Sequence, residues 1–101
     1  AAEIERVVVQ VPGIGEVAAI AVPPPDGGPE QLILYLVLQE GAPNDTGYWI
    51  QQTNEAIRQR LSPLFQVKDV VVVPELPRTA SNKVMRRLLR QQYVASLHKS
   101  A

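Results

Sequence analysis

The sequence predicts an α+β domain, a small three-stranded mixed sheet flanked by helices in the order helix, strand, strand, helix, strand, helix. Apolar residues recur at helical spacing in three segments, and three short apolar runs of strand length fall between them. A turn-forming stretch separates the first two runs, so they pair as an antiparallel hairpin. The helix before the third run is a crossover that returns it parallel to the second.

In "EIERVVVQVP", Ile4, Val7, Val8 and Val11 fall at i, i+3, i+4 and i+7, a helical stripe that Pro12 ends. "GEVAAIAVP" predicts a strand from Glu16 to Val22, small and apolar on both faces and therefore interior. "PPPDGGPEQ" cannot continue a strand and must turn. "QLILYLVLQ" is a second strand, apolar on both faces, expected in the middle of a sheet covered on both sides. Asp45 or Thr46 can cap the next helix, whose expected inner stripe is Ile50, Asn54, Ile57 and Leu61, with Pro63 closing it. "KDVVVVP" is the third strand. The last helix is expected from about Asn82, with Met85, Leu89, Tyr93 and Leu97 in one row, Val84 and Leu88 beside it, and Arg86, Arg87 and Arg90 on a solvated or domain-docking face. Trp49 and Tyr48 are expected in the core or against another domain, and His98, near the end, is assigned no role.

At 101 residues the chain suits one core, and a three-stranded sheet leaves little room for an enclosed pocket, so chemistry is expected at its surface. The absence of cysteine excludes a thiolate nucleophile or thiolate metal site, and a single histidine argues against a metal centre. The longest apolar run, "LILYLVL", is far below the roughly 20 residues of a membrane span, and no signal-peptide pattern opens the chain. The expected compartment is cytoplasmic, or peroxisomal for a plant protein.

A net charge of zero conceals a sharp division. Residues 1–77 hold four Lys/Arg against all ten acids, a balance of −6, whereas residues 78–101 hold six bases and no acid, a balance of +6. Such an asymmetry suits an anionic partner such as a nucleotide, a coenzyme, a nucleic acid or a membrane surface.

Within the cationic quarter, Lys83 stands in a polar loop. A lone lysine in such a loop is ordinarily solvated surface. Here Pro77 restricts the approach, Thr79, Ser81 and Asn82 supply hydrogen-bonding groups, and a helix is expected to follow at once, which is a setting for holding an anion. It is not a P-loop, because both glycines of that pattern are missing and valine follows the lysine.

The stretch "ELPRTASNKVMRRLLR" resembles the last motif of the adenylate-forming superfamily, in particular its acyl-CoA synthetase branch, usually L-P-[KR]-T-x-S-G-K-[IV]-x-R-R. Leu76, Pro77, Arg78, Thr79, Ser81, Lys83, Val84, Arg86 and Arg87 match, and Asn82 replaces the glycine. "PRTASNK" with "LSPLFQVKDV" is similar to plant peroxisomal-type acyl-activating enzymes, and "EIERVVVQVPGIGEVAAIAVP" is similar to the helix and strand that enter the C-terminal domain of the family. The resemblance implies that residues 1–101 are the mobile C-terminal lid of a longer ATP-dependent acid–CoA ligase, whose large N-terminal domain lies outside this chain and holds ATP with Mg2+ and the acyl substrate. It implies that Lys83 serves carboxylate adenylation and that the lid then rotates to admit coenzyme A. It also implies no metal site in the lid itself. In "IRQRLSPL", Arg58 stands where an arginine of the family contacts coenzyme A phosphates; a solvated helix arginine is the plain alternative.

Two readings from other classes compete. A stand-alone nucleic-acid- or anion-binding module would lay the arginines of the last helix on phosphates, but it requires bases on several elements and aromatics on an open sheet face, where the strands offer only Tyr35. A membrane-surface helix over 84–98 would need its apolar row free of a core. Neither nucleic acid nor membrane is the expected partner.

Overall fold

The computed structural model describes residues 2–99, with side chains up to Leu97; the side chain of His98 lies outside that range. Its elements are α1 (Ala2–Val8), β1 (Ile14–Val22), β2 (Gln31–Leu38), α2 (Thr46–Arg60), β3 (Val67–Val72) and α3 (Arg86–Lys99). The sheet order is β1-β2-β3, with β1 antiparallel and β3 parallel to β2, as the hairpin and the crossover require. Leu36 on the central strand is opposite Val17 on one side and Val72 on the other.

Alternation along β2 sorts the core into two layers. Leu34 and Leu36 face α1 and α2 and pack with Ile4, Val8, Trp49, Ile57, Val67 and Val70. Ile33 and Tyr35 face the opposite way and pack with Leu76, Leu89 and Tyr93, the residues brought by the last loop and α3. Both sheet faces are therefore covered. Tyr35, the one strand aromatic among the described residues, is 4% exposed, so the sheet faces present no aromatic on which bases could stack.

Several expected boundaries and faces are corrected. The first helix stops at Val8, well before Pro12, and a turn with Gly13 at φ 97° leads into β1. That strand begins at Ile14 rather than Glu16, because the Gln39 N–H donates to the Gly13 carbonyl at 2.8 Å and an irregularity between Ile14 and Glu16 absorbs the offset. The third strand is also displaced, starting at Val67 and ending at Val72.

The buried stripe of α2 is Trp49, Thr53 and Ile57; Ile57 is as expected, but Ile50, Asn54 and Leu61 are only half-buried beside it. The indole decides which face is buried: it is the largest side chain, it is 1% exposed, and its N–H reaches the Pro43 carbonyl at 2.7 Å. Thr53 can be buried because its hydroxyl donates to the Trp49 carbonyl at 2.6 Å. Asn54 instead clasps β3, accepting from the Val67 N–H at 2.6 Å and donating to the Val67 carbonyl at 3.3 Å. Asp45 caps the helix, as expected, by accepting from the Tyr48 N–H at 3.2 Å. Tyr48 itself is 41% exposed.

The last helix begins at Arg86, not Asn82. Met85 and Leu97 are more than a third exposed, and the buried row reduces to Leu89 and Tyr93. Those two pack on the sheet, so the row is not free to lie on a bilayer. Among the described residues, no helix is long and apolar enough to cross a membrane.

Candidate functional site

The segment 73–85 leaves the C-terminal end of β3 and carries six of the expected site residues. Leu76, 5% exposed, anchors it in the core. From Pro77 to Met85 the chain forms a small hairpin. The Met85 N–H donates to the Pro77 carbonyl at 2.8 Å, Arg78 bridges Val84, and the Thr79 N–H donates to the Lys83 carbonyl at 2.8 Å. Ala80, Ser81 and Asn82 close it, with Asn82 at φ 68° and its N–H donating to the Thr79 carbonyl at 2.9 Å. A three-residue hairpin loop whose last position is left-handed is a standard solution, usually with glycine at that position. Asparagine adopts the conformation more readily than other residues with a Cβ.

Thr79 and Ser81 serve this loop first. The Thr79 hydroxyl oxygen accepts from the Lys83 N–H at 3.2 Å and lies 3.0 Å from the Ser81 hydroxyl. Lys83 is exposed, and no ion pair or hydrogen bond engages its ammonium among the described residues. A braced backbone thus presents a free cation on a long stem.

The setting differs from the expected one in a definite way. Lys83 does not sit at a helix N-terminus, since Val84 and Met85 belong to the hairpin and helical geometry begins three residues on. Lys83 is therefore a point charge on a turn, without a helix dipole behind it.

Arg78 and Arg86 are occupied. One amino group of Arg78 donates to the Asn82 carbonyl at 3.0 Å and the other to Glu16 Oε1 at 2.5 Å. Arg86 forks onto Glu5, at 2.6 Å to Oε1 and 3.0 Å from Nε to Oε2, and Glu5 Oε2 also accepts from the outward Ala19 N–H at 2.8 Å. Arg86 is thus paired rather than simply solvated: it ties α3 to α1 and β1. Arg87 and Arg90 do remain exposed. Neither Glu16 nor Glu5 stood out in the sequence, whose only hint was the excess of acids in the first three quarters facing an excess of bases in the last.

Arg58 lies elsewhere. It is in the last turn of α2 and, with Asn54, Phe65 and Val67, lines an open groove at the N-terminal end of β3. Its guanidinium bonds Glu55 at 2.6 Å in an exposed pair, and that contact lowers the Glu55 pKa. The six residues of β3 separate the Arg58 end from the Lys83 end, about 20 Å at roughly 3.3 Å per residue. Leu64 and Phe65 near Arg58 are exposed. Among the described residues, no group of three or more His, Cys, Asp or Glu is arranged to hold a metal ion.

Comparison with known proteins agrees with this fold. Residues 3–83 match the model of the AMP-binding enzyme C-terminal domain. The chain is 52% identical over 93 residues to a probable peroxisomal acyl-activating enzyme 17 of Arabidopsis thaliana, a match covering 89% of this chain and 13% of that protein. It is 48% identical over 96 residues to the hexanoyl-CoA synthase of Cannabis sativa, covering 90% of this chain and again 13% of the relative. Among solved structures, a fatty acyl CoA synthetase of Mycobacterium tuberculosis superposes with a TM-score of 0.76 at 33% identity, over 94% of this chain and 18% of that one. This chain thus spans only a small part of the length of the proteins it matches. By motif, fold and relatives together, the chain belongs to the AMP-binding enzyme C-terminal domain family.

Proposed function

We propose that this domain is the mobile C-terminal lid of an ATP-dependent acid–CoA ligase, joined in one polypeptide to a large N-terminal domain, and that Lys83 is its adenylation lysine. The observation that carries the reading is the Lys83 ammonium, unpartnered among the described residues, on a braced hairpin within "LPRTASNKVMRR", in a chain of this family.

In the first half-reaction a carboxylate oxygen attacks the α-phosphorus of ATP, the bond to the β-phosphate oxygen breaks, and acyl-AMP and pyrophosphate result. Two anions meet at that point, and their repulsion raises the barrier. A lysine ammonium reaching the carboxylate and α-phosphoryl oxygens offsets the charge as it develops, and the hairpin supplies its position in advance. Mg2+ with the ATP phosphates belongs to the N-terminal domain in this reading. In the second half-reaction the coenzyme A thiol adds to the acyl carbonyl and AMP leaves, with the thiol proton lost. Lys83 has no part in that step, and the lid turns so that the Arg58 end contacts coenzyme A phosphates. The separation of the two residues along β3 supports such a division of labour.

Lys83→Ala in the full-length enzyme is expected to slow acyl-AMP formation by two orders of magnitude or more, about 3 kcal/mol in the transition state, while thioester formation from supplied acyl-AMP stays near normal. Half-reaction assays check this, and equal loss of both steps would overturn the assignment. The name of the Arabidopsis relative also supports a peroxisomal compartment, which imaging of the tagged full-length protein would test.

A further inference from the structure

We infer, on the reading of Lys83 as the adenylation lysine, that Glu16 is a positioning residue for it, acting through Arg78. The Arg78 guanidinium spans two targets at once: Nη1 holds the Asn82 carbonyl at 3.0 Å and Nη2 holds Glu16 Oε1 at 2.5 Å. The Asn82 carbonyl belongs to the peptide that joins Asn82 to Lys83, so its direction sets where the Lys83 Cα and side chain start. That peptide follows a residue at φ 68°, a left-handed conformation that a residue with a Cβ holds only when its surroundings support it. Glu16 lies near the start of β1, just past the irregularity there, and is paired with Val37 of the central strand, so the sheet holds its backbone. Sheet, carboxylate, guanidinium and carbonyl form one chain of contacts ending at the lysine.

Arginine suits the middle position because its planar fork can serve a carboxylate and a carbonyl together, which a single ammonium does less well. Arg78 and Glu16 side chains are 34% and 44% exposed. Exposed ion pairs contribute little to global stability. Removing the carboxylate should therefore leave the domain folded while releasing the loop. Glu5 and Arg86 secure the start of α3 just beyond the other leg, but Glu5 also satisfies the Ala19 N–H, so its loss would disturb the fold and the loop together.

The test is Glu16→Ala, Arg78→Met and the double variant in the full-length enzyme, with Lys83→Ala alongside. Amide hydrogen exchange over residues 78–85 reads the loop directly, because the Thr79, Asn82, Lys83 and Met85 N–H groups are all hydrogen-bonded there. Glu16→Ala is expected to speed exchange of this segment several-fold and to leave residues 31–38 of the core unchanged. Adenylation kcat should fall about tenfold with KM for ATP unchanged, since small misplacements of a catalytic group cost up to about a hundredfold. Thioester formation from acyl-AMP should be unaffected, and Glu16→Ala should add nothing in the Arg78→Met background. Unchanged loop exchange, additive losses or equal loss of both half-reactions would overturn the positioning role while leaving the lysine assignment intact if Lys83→Ala selectively abolishes adenylation. If Lys83→Ala spares adenylation, the lysine assignment fails, and the positioning role fails with it.

Discussion

Asn82 shows how much can turn on one dihedral angle. At φ 68° it closes the hairpin that carries Lys83, and its own peptide is the one Arg78 grips. Glycine adopts this conformation freely, so Asn82→Gly is expected to retain adenylation and thermal stability. Asn82→Val places a β-branched side chain in the left-handed region, a strain of about 1–3 kcal/mol. The loop is exposed and can relieve that strain by reopening, so the melting temperature should barely move while adenylation falls. Thermal denaturation beside half-reaction kinetics would check this, and a matched loss of both would mean that the strain spreads into the core. The motif residues were legible from their pattern alone. Glu16 and Glu5 were not, because their partners lie 62 and 81 residues away and no local spacing reveals such a pairing.

The third helix illustrates competition between neighbouring elements. Apolar spacing from Val84 to Leu97 is helical throughout, yet the helix starts only at Arg86. Val84 is bridged to Arg78 and the Met85 N–H is held by the Pro77 carbonyl, so the hairpin claims them first. Beyond that point α3 is fastened by Tyr93, whose hydroxyl donates to Asp69 of β3 at 2.8 Å. Burial, then that bond to the carboxylate, pushes the Tyr93 pKa from 10.0 up to about 12. From pH 10 to 12 the unfolded chain has lost the phenolic proton and the folded domain has kept it, so this contribution is whole below pH 10 and disappears as pH rises across the window. Tyr93→Phe should cost about 1–2 kcal/mol at neutral pH and flatten the alkaline decline, measured by denaturant unfolding from pH 8 to 12. A smaller slope should remain, because burial and Asp69 also raise the pKa of Tyr35.

At the scale of the molecule, the two candidate ligand-facing residues lie at opposite ends of one sheet. Lys83 follows the C-terminal end of β3, and Arg58 lines the groove at its N-terminal end. If the domain turns between half-reactions, lesions at the two ends must separate kinetically. Arg58→Ala is expected to raise KM for coenzyme A about tenfold, the loss of one charge-assisted contact, and to leave acyl-AMP formation unchanged. Steady-state kinetics with coenzyme A varied, beside a pyrophosphate-release assay, would check this; a fall in adenylation would place Arg58 elsewhere in the cycle. The sequence by itself determined the element order, the central place of the doubly apolar β2 and the motif loop, because hydrophobic period, turn residues and local spacing act over a few neighbouring positions. Only the tertiary structure decided which face of α2 is buried, where α3 begins, which carboxylates hold Arg78 and Arg86, and that Lys83 and Arg58 lie far apart. Those outcomes depend on side-chain volume and charge meeting across elements, and such contacts exist only once the sheet has brought distant segments together.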